Sequence, residues 1–228
     1  MLGSDLEKTL EKNTIRLIGF LQECSLLGSL SGFRYFEVCM RSREELLLCI
    51  SPPGNVEQRK RPLTIMSSTY LLDEDYIDRH DCTVFMVTGY AVYNCPYIYA
   101  WKQSNQSLRY MTSPVEPDVP LRLESTLSWN RKHVALWEMV WELLSRLTWP
   151  SPTNPFAIDF DYLDRLPLPQ SLLLIGGLLD FLQTLWVQAE PQVSFINQVF
   201  EDIQLLQQRH LQLMRDYTHK INVATPST

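Results

Sequence analysis

The sequence predicts an α+β fold: an N-terminal helix, a mostly antiparallel meander of roughly four to six strands, then a C-terminal layer of about three long helices. Three observations lead there. Apolar residues recur at near-helical spacing before Gly28 and again beyond Trp129. Between them lie short runs rich in Val, Ile, Thr, Tyr and Phe, bounded by Gly, Pro and Asp clusters. The Pro-rich segment "SPVEPDVP" at 113–120 then separates the strand-like half from the helical half.

Taken in order, residues 4–28 read as a helix. Ser4 precedes "DLEK", which places acidic residues in the first turn, and Leu10, Ile15, Ile18, Leu21 and Leu26 form the expected apolar stripe. "LGSLSG" ends it. "FRYFEVCM" (33–40) alternates, and "EELLLCI" (44–50) follows the short "RSR", so the two should form a hairpin. "SPPGNVEQRKRP" (51–62) is a loop. Its basic "QRKR" reads as solvated, with a localisation signal or anion patch as the rival. "LTIMSSTYLL" (63–72) and "CTVFMVTGYAVY" (82–93) are the next strands. The second is apolar on both faces, as a central strand covered on both sides should be. "PYIYAW" (96–101) and "SLRYMT" (107–112) complete the sheet.

Beyond the linker, "WNRKHVALWEMVWELLSRLTW" (129–149) predicts an amphipathic helix, with Val134, Trp137, Val140 or Trp141, Leu144 and Leu147 on one stripe. "FAIDFDYLDRLPLP" (156–169) reads as irregular or a short strand. Two long helices close the chain at about 170–188 and 191–221. The expected organisation is an α+β domain over 1–165 with a helical extension over 166–228 packed on it. The run from Leu172 to Trp186 is very apolar but contains Gly176, Gly177, Asp180 and Gln183. It falls short of the ~20 apolar residues of a membrane span, so a buried helix is expected there.

Composition narrows the function. A net charge of −6 argues against nucleic acid, whose phosphates demand a basic footprint. The five cysteines (Cys24, Cys39, Cys49, Cys82, Cys95) are odd in number and make no C-x-x-C pair, so neither a disulfide framework nor a zinc site is suggested. The opening "MLGSDLEKTLEK" lacks the apolar run of a signal peptide, so an intracellular protein is expected, cytoplasmic or nuclear. No phosphate loop or G-x-S-x-G turn is written in the chain, and no cofactor is expected. "DFD" at Asp159–Asp161 with Asp164 has the residue types of a cation site, but acidic residues near a helix start more often act as caps. "DRHDC" puts His80 two residues from Cys82, on one face of a strand. Cys95 precedes Pro96, lacks a base nearby in sequence, and is expected to be buried.

Two features suggest binding. Tyr97, Tyr99 and Trp101 share a face by period-two alternation, beside Tyr93, with Pro96 at a bulge or at the start of an outer strand. In the last helix Ile196, Val199, Ile203, Leu206, His210, Leu213 and Tyr217 alternate by three and four, a heptad seam that Phe200, Leu211, Met214 and Ile221 widen. The width favours packing within a bundle over a thin two-stranded coil. A partner helix is the alternative, and His210 on the seam is either a register-fixing contact or a core histidine.

The stretch "YAVYNCPYIYAW" (90–101) resembles one element of the autophagy conjugating enzymes, relatives of the ubiquitin-conjugating enzymes that transfer ubiquitin-like modifiers. Tyr93, Pro96, Ile98 and Tyr99 occupy the positions of the family pattern, and the order of elements is similar. The resemblance implies a conjugating-enzyme-like fold over about residues 4–165. "NPFAIDFDYL" (154–163) looks like the strand leading to the family's His-Pro-Cys motif, but Phe160, Asp161 and Tyr162 stand at the motif. No cysteine lies beyond Cys95, and a phenol is no acyl carrier at neutral pH. No catalytic role therefore transfers. The expected function is a non-catalytic interaction or scaffold subunit, binding protein partners through Tyr93, Pro96, Tyr97, Tyr99 and Trp101 or through Ile203, Leu206 and His210. The resemblance adds a ubiquitin-like modifier to the candidate partners. The alternatives are a conjugating enzyme using Cys95 or Cys82, and a helix-mediated oligomer.

Overall fold

A computed structural model describes residues 2–50, 83–90, 95–102, 119–147, 151–190 and 193–224. The architecture is α+β, as the sequence predicts: an N-terminal helix, an antiparallel sheet of four strands among the described residues, then further helices. The chain divides into two compact units. One comprises Met1–Ser29 with Tyr35–Pro155, the other Leu30–Arg34 with Phe156–Thr228.

In the first unit, α1 (Leu2–Gly28) buries Leu17, Phe20, Cys24 and Leu27, which are spaced three and four apart. Ile15 and Ile18 are exposed instead, which corrects the stripe read from sequence. The helix carries apolar residues on two sides, and periodicity alone does not say which side meets the sheet. Gly28 lets the helix end come down onto the sheet: a Cβ there would lie 2.7 Å from Met40 Sδ and 2.9 Å from Leu46 Cδ1.

The sheet is a meander in the order β1 (Phe36–Met40), β2 (Glu45–Ile50), β3 (Thr83–Thr88), β4 (Tyr97–Lys102), every pair antiparallel. Opposite residues share a face, so Phe36 and Val38 line up with Ile50 and Leu48, and these with Thr83 and Phe85. The β1–β2 hairpin is as expected. β3 is central, and all its residues except Met86 are buried, as its doubly apolar sequence requires. The expected strands 63–72 and 107–112, and the basic run 58–61, lie outside the described residues.

The amphipathic run 129–149 is shorter as a helix than expected: α3 spans Leu136–Leu147 and is preceded by the short α2 (Glu124–Ser128). Carboxylates explain both starts, because a helix N-terminus presents N–H groups without partners. Leu136 N donates to Glu23 Oε2 of α1 at 2.7 Å, and Ala135 N to Glu138 Oε1 at 3.1 Å. Glu124 N and Ser125 N donate to the Glu142 carboxylate of α3 at 2.8 and 3.0 Å. Val134, Trp137, Val140 and Leu144 are buried as the stripe predicts.

In the second unit, Leu30–Arg34 pairs with the chain just before α4 (Phe160–Asp164). Phe33 and Ile158 form an isolated antiparallel bridge, with Arg34 N donating to Ala157 O at 2.8 Å and Asp159 N to Gly32 O at 2.7 Å. Gly32 has φ +93°, a left-handed backbone that glycine adopts without steric cost, and a Cβ there would sit 3.3 Å from Tyr162 Cδ1. Phe33, Phe156, Phe181 and Phe195 make a chain of ring contacts, each at 5.6–5.8 Å between centroids, that forms the core between these segments and the last two helices.

Those helices are α5 (Leu168–Gln188) and α6 (Ile196–Ala224). They run antiparallel: Trp186 late in α5 stacks on Phe200 early in α6, at 5.5 Å, while Gly176 faces His210. At 21 residues, α5 has the length and composition of a membrane crossing, which the shorter run counted from sequence lacked. It turns Leu174, Ile175, Leu178, Leu182 and Leu185 inward but leaves Leu173, Trp186 and Val187 exposed, so it is buried on one side only, where a buried helix was expected.

Candidate functional site

The aromatic strand is built as the sequence implies, with one correction. Pro96, which has no N–H to donate, is buried immediately before β4, whose first residue Tyr97 pairs with Thr88. The bulge lies at the opposite end of the strand: Phe85 pairs with Ala100 and Val84 with Lys102, so Trp101 is the unmatched residue. Tyr97 and Tyr99 share a face and are half-buried, with ring centroids 6.4 Å apart. Tyr93, Cys82 and His80 lie outside the described residues. Nearby, the Tyr90 hydroxyl donates to Glu45 Oε1 of β2, and this bond to a carboxylate pushes the phenol up to about 12.

Cys95 is half-buried in a bend ahead of β4, not enclosed by strands as expected, because Pro96 delays the start of pairing. Cys24 is a buried small hydrophobe whose thiol is pushed far up by burial, leaving it protonated. Cys49 is likewise buried, and Cys39 half-buried. Among the described residues no group of three His, Cys, Asp or Glu is placed to hold a metal ion.

Of the positions that the resemblance aligned with a catalytic motif, Phe160 and Tyr162 have structural work and Asp161 is exposed, while Asp159 just before them serves the helix. Asp159 caps α4, its Oδ1 accepting from Tyr162 N at 3.0 Å, which is the capping role expected of these acids. Phe160 lies under the Arg209 guanidinium, 5.3 Å from ring centroid to Cζ, and Arg209 also donates to Asp164. The Tyr162 hydroxyl is hydrogen-bonded to Ser31 Oγ at 3.0 Å. That α4 is a helix was not read from sequence. Five residues are too few for periodicity, and only the Asp159 cap signalled it.

The helix seam divides into two halves. Val199, Ile203 and Leu206 are buried, consistent with packing inside a bundle. His210 is half-buried: a Cβ added to Gly176 would lie 3.4 Å from its Cε1. Past His210 the stripe is less covered, and Leu213 is half-buried. Leu211, Met214, Tyr217 and Ile221 are 57%, 49%, 41% and 47% exposed. The Trp186–Phe200 and Gly176–His210 pairs set a register in which Leu168, the first residue of α5, comes level with about Thr218. The first turn of α5 there consists of half-buried Leu168, exposed Pro169 and Gln170, and buried Ser171, whose hydroxyl donates to Leu163 O. The sequence pattern placed these side chains on the stripe but did not show that their half of it is bare.

No curated protein and no solved structure matches the chain. Residues 68–212, which include β3, β4 and much of α6, match the family described as "Domain of unknown function (DUF7886)", and the chain belongs to that family.

Proposed function

We propose that this protein is a non-catalytic interaction subunit of an intracellular complex, which docks a protein partner on the second half of α6. The observation that carries this reading is the continuation of one apolar stripe from a buried half to a bare half. A contiguous exposed apolar face on a long helix is costly to solubility and usually marks a binding surface. The half-buried Tyr97 and Tyr99 on β4 form a secondary surface of the same kind. A degenerate conjugating-enzyme ancestry is compatible with the N-terminal helix and the four-strand meander order. It also suits the ring and hydroxyl contacts of Phe160 and Tyr162 at the aligned positions.

The test compares affinity capture from cells by the wild type and by a Met214→Asp/Ile221→Asp variant. A stoichiometric partner recovered with the wild type and lost with the variant is expected. The same set recovered with both would overturn the reading. So would a reductant-sensitive adduct with a ubiquitin-like modifier that disappears in Cys95→Ser.

A further inference from the structure

The bare half of α6 also carries information about the chemistry of its partner. At about 100° per residue, Met214, Tyr217 and Ile221 continue the line of Ile203, and Leu211 stands on the flank of that line, on the side of exposed Phe200. Two exposed bases border that stripe. Lys220 stands on its Leu213 side and Arg215 on its Leu211 side. The one acidic residue of 210–221, Asp216, is turned to the far face, where it accepts a hydrogen bond from Gln212 Nε2 at 3.0 Å. Arg209, the next base back, is already engaged by Asp164 and Phe160. The shoulders of the exposed stripe thus each carry a base: Lys220 stands one turn after Asp216, and Arg215 has no carboxylate three or four residues away on either side.

We propose that this surface binds an amphipathic helix with acidic shoulders on another protein, an inference that rests on reading the chain as an interaction subunit. Helix is the matching shape because the stripe extends a seam on which a helix of this chain already packs. Acidic is the matching charge because shoulder positions select partners through opposite charge. A second copy of this segment fits less well: it brings Lys220 and Arg215 to the interface again, while its only acid faces away. A lipid surface also fits less well. The stretch 210–221 lacks the Trp or Phe that interfacial helices commonly carry, and Asp216 interrupts its polar face.

Two synthetic amphipathic helices test this, sharing one leucine face and differing only in Glu or Lys at its shoulders. Like charges keep each peptide from pairing with itself. Titrated into the full chain, the Glu peptide is expected to bind about tenfold or more tighter than the Lys peptide. Met214→Asp/Ile221→Asp should abolish that binding, and Arg215→Glu/Lys220→Glu should invert the preference, each with unchanged helicity by circular dichroism. Equal binding of both peptides, or a preference that survives the charge reversal, overturns the acidic-helix inference and leaves the interaction reading standing. Failure of both peptides to bind also overturns it. If the set captured from cells is then insensitive to Met214→Asp/Ile221→Asp, the interaction reading falls with it. Sedimentation with phosphatidylserine–phosphatidylcholine vesicles in place of Glu-peptide binding points to lipid and overturns it. A mass by light scattering that rises with concentration points to a second copy and overturns it likewise.

Discussion

The two halves of α6 carry the same spacing of apolar residues and meet different surroundings. Before His210, Val199, Ile203 and Leu206 are closed off by α5 and the phenylalanine core. After it, Leu211, Met214, Tyr217 and Ile221 run on into solvent. Spacing decides which side of a helix is apolar. Whether that side is core or surface depends on how the neighbouring element packs. α5 begins level with about Thr218, so Ile221 lies beyond its end, while Leu211, Met214 and Tyr217 lie alongside it and are turned partly to solvent. The first half should therefore be read through stability and the second through binding.

The largest effect is expected in the covered half. Leu206 is fully buried, so Leu206→Ala removes transfer energy and leaves a cavity, at a cost of about 2–5 kcal/mol. Ile203→Asp should be worse, because an unpaired carboxylate would enter the same core. Hydrogen exchange resolved by segment is the suitable measurement, since a chain of two compact units need not unfold in one step. Protection should fall across α5 and α6 and persist in β2 and β3. Unchanged protection in α6 would mean that α5 does not hold it.

The second effect tests what supports the covered half from its other side. Gly32 combines a left-handed backbone with close approach to Tyr162. Gly32→Ala should cost about 1–2 kcal/mol through the backbone alone, loosening the Phe33–Ile158 bridge and exchange protection around α4. A Gly32→Ala chain with wild-type protection from Asp159 to Asp164 would show that the bridge contributes little to the second unit.

How much of this was legible in the sequence follows the same division. The β1–β2 hairpin was readable because alternation has one period and a short turn leaves one pairing. The central position of β3 was readable because both its faces are apolar. The buried side of α1 was not, since Ile15 and Ile18 have the same helical spacing as residues that do face the sheet. Nor was the cover on α3's start, because Glu23 lies far away in sequence from the Leu136 N–H it accepts. The aromatic face of β4 was legible from alternation. The apolar end of α6 was visible as a pattern, but its exposure was not, because that depends on which side of α6 the rest of the chain covers.

Glu23 supplies a smaller effect in the first unit and asks whether burial of a group, whatever its role, sets its cost. Burial raises its carboxyl above the ordinary value near 4.5, against the opposing pull of the Leu136 N–H and then His133. A carboxyl that holds its proton more tightly when folded contributes fully below the unfolded pKa, and that contribution is lost as pH rises through the folded one. Stability of the wild type relative to Glu23→Gln should accordingly fall as pH rises from about 4 to neutrality. At neutral pH the variant should be within about 1 kcal/mol of the wild type or slightly more stable, because the amide oxygen can still accept from Leu136 N. Stability curves of both chains across that range, by denaturant titration, decide it. A difference that does not vary with pH would show that the carboxylate is solvated in the folded chain.

The smallest effect on stability is expected in the bare half, and it completes the comparison. Met214→Ala and Ile221→Ala remove apolar atoms that the fold leaves in solvent, and alanine favours the helix, so each should change stability by no more than about 0.5 kcal/mol. Exchange protection in the first half of α6 should be untouched by either change. If instead Met214→Ala destabilises the chain as Leu206→Ala does, the end of α6 is covered in the folded protein. In that case its stripe belongs to the core and the docking surface must be sought elsewhere, first at Tyr97 and Tyr99. Should stability hold while partner capture is lost, the two halves of one stripe have been separated by function, the first holding α6 to α5 and the second holding the partner.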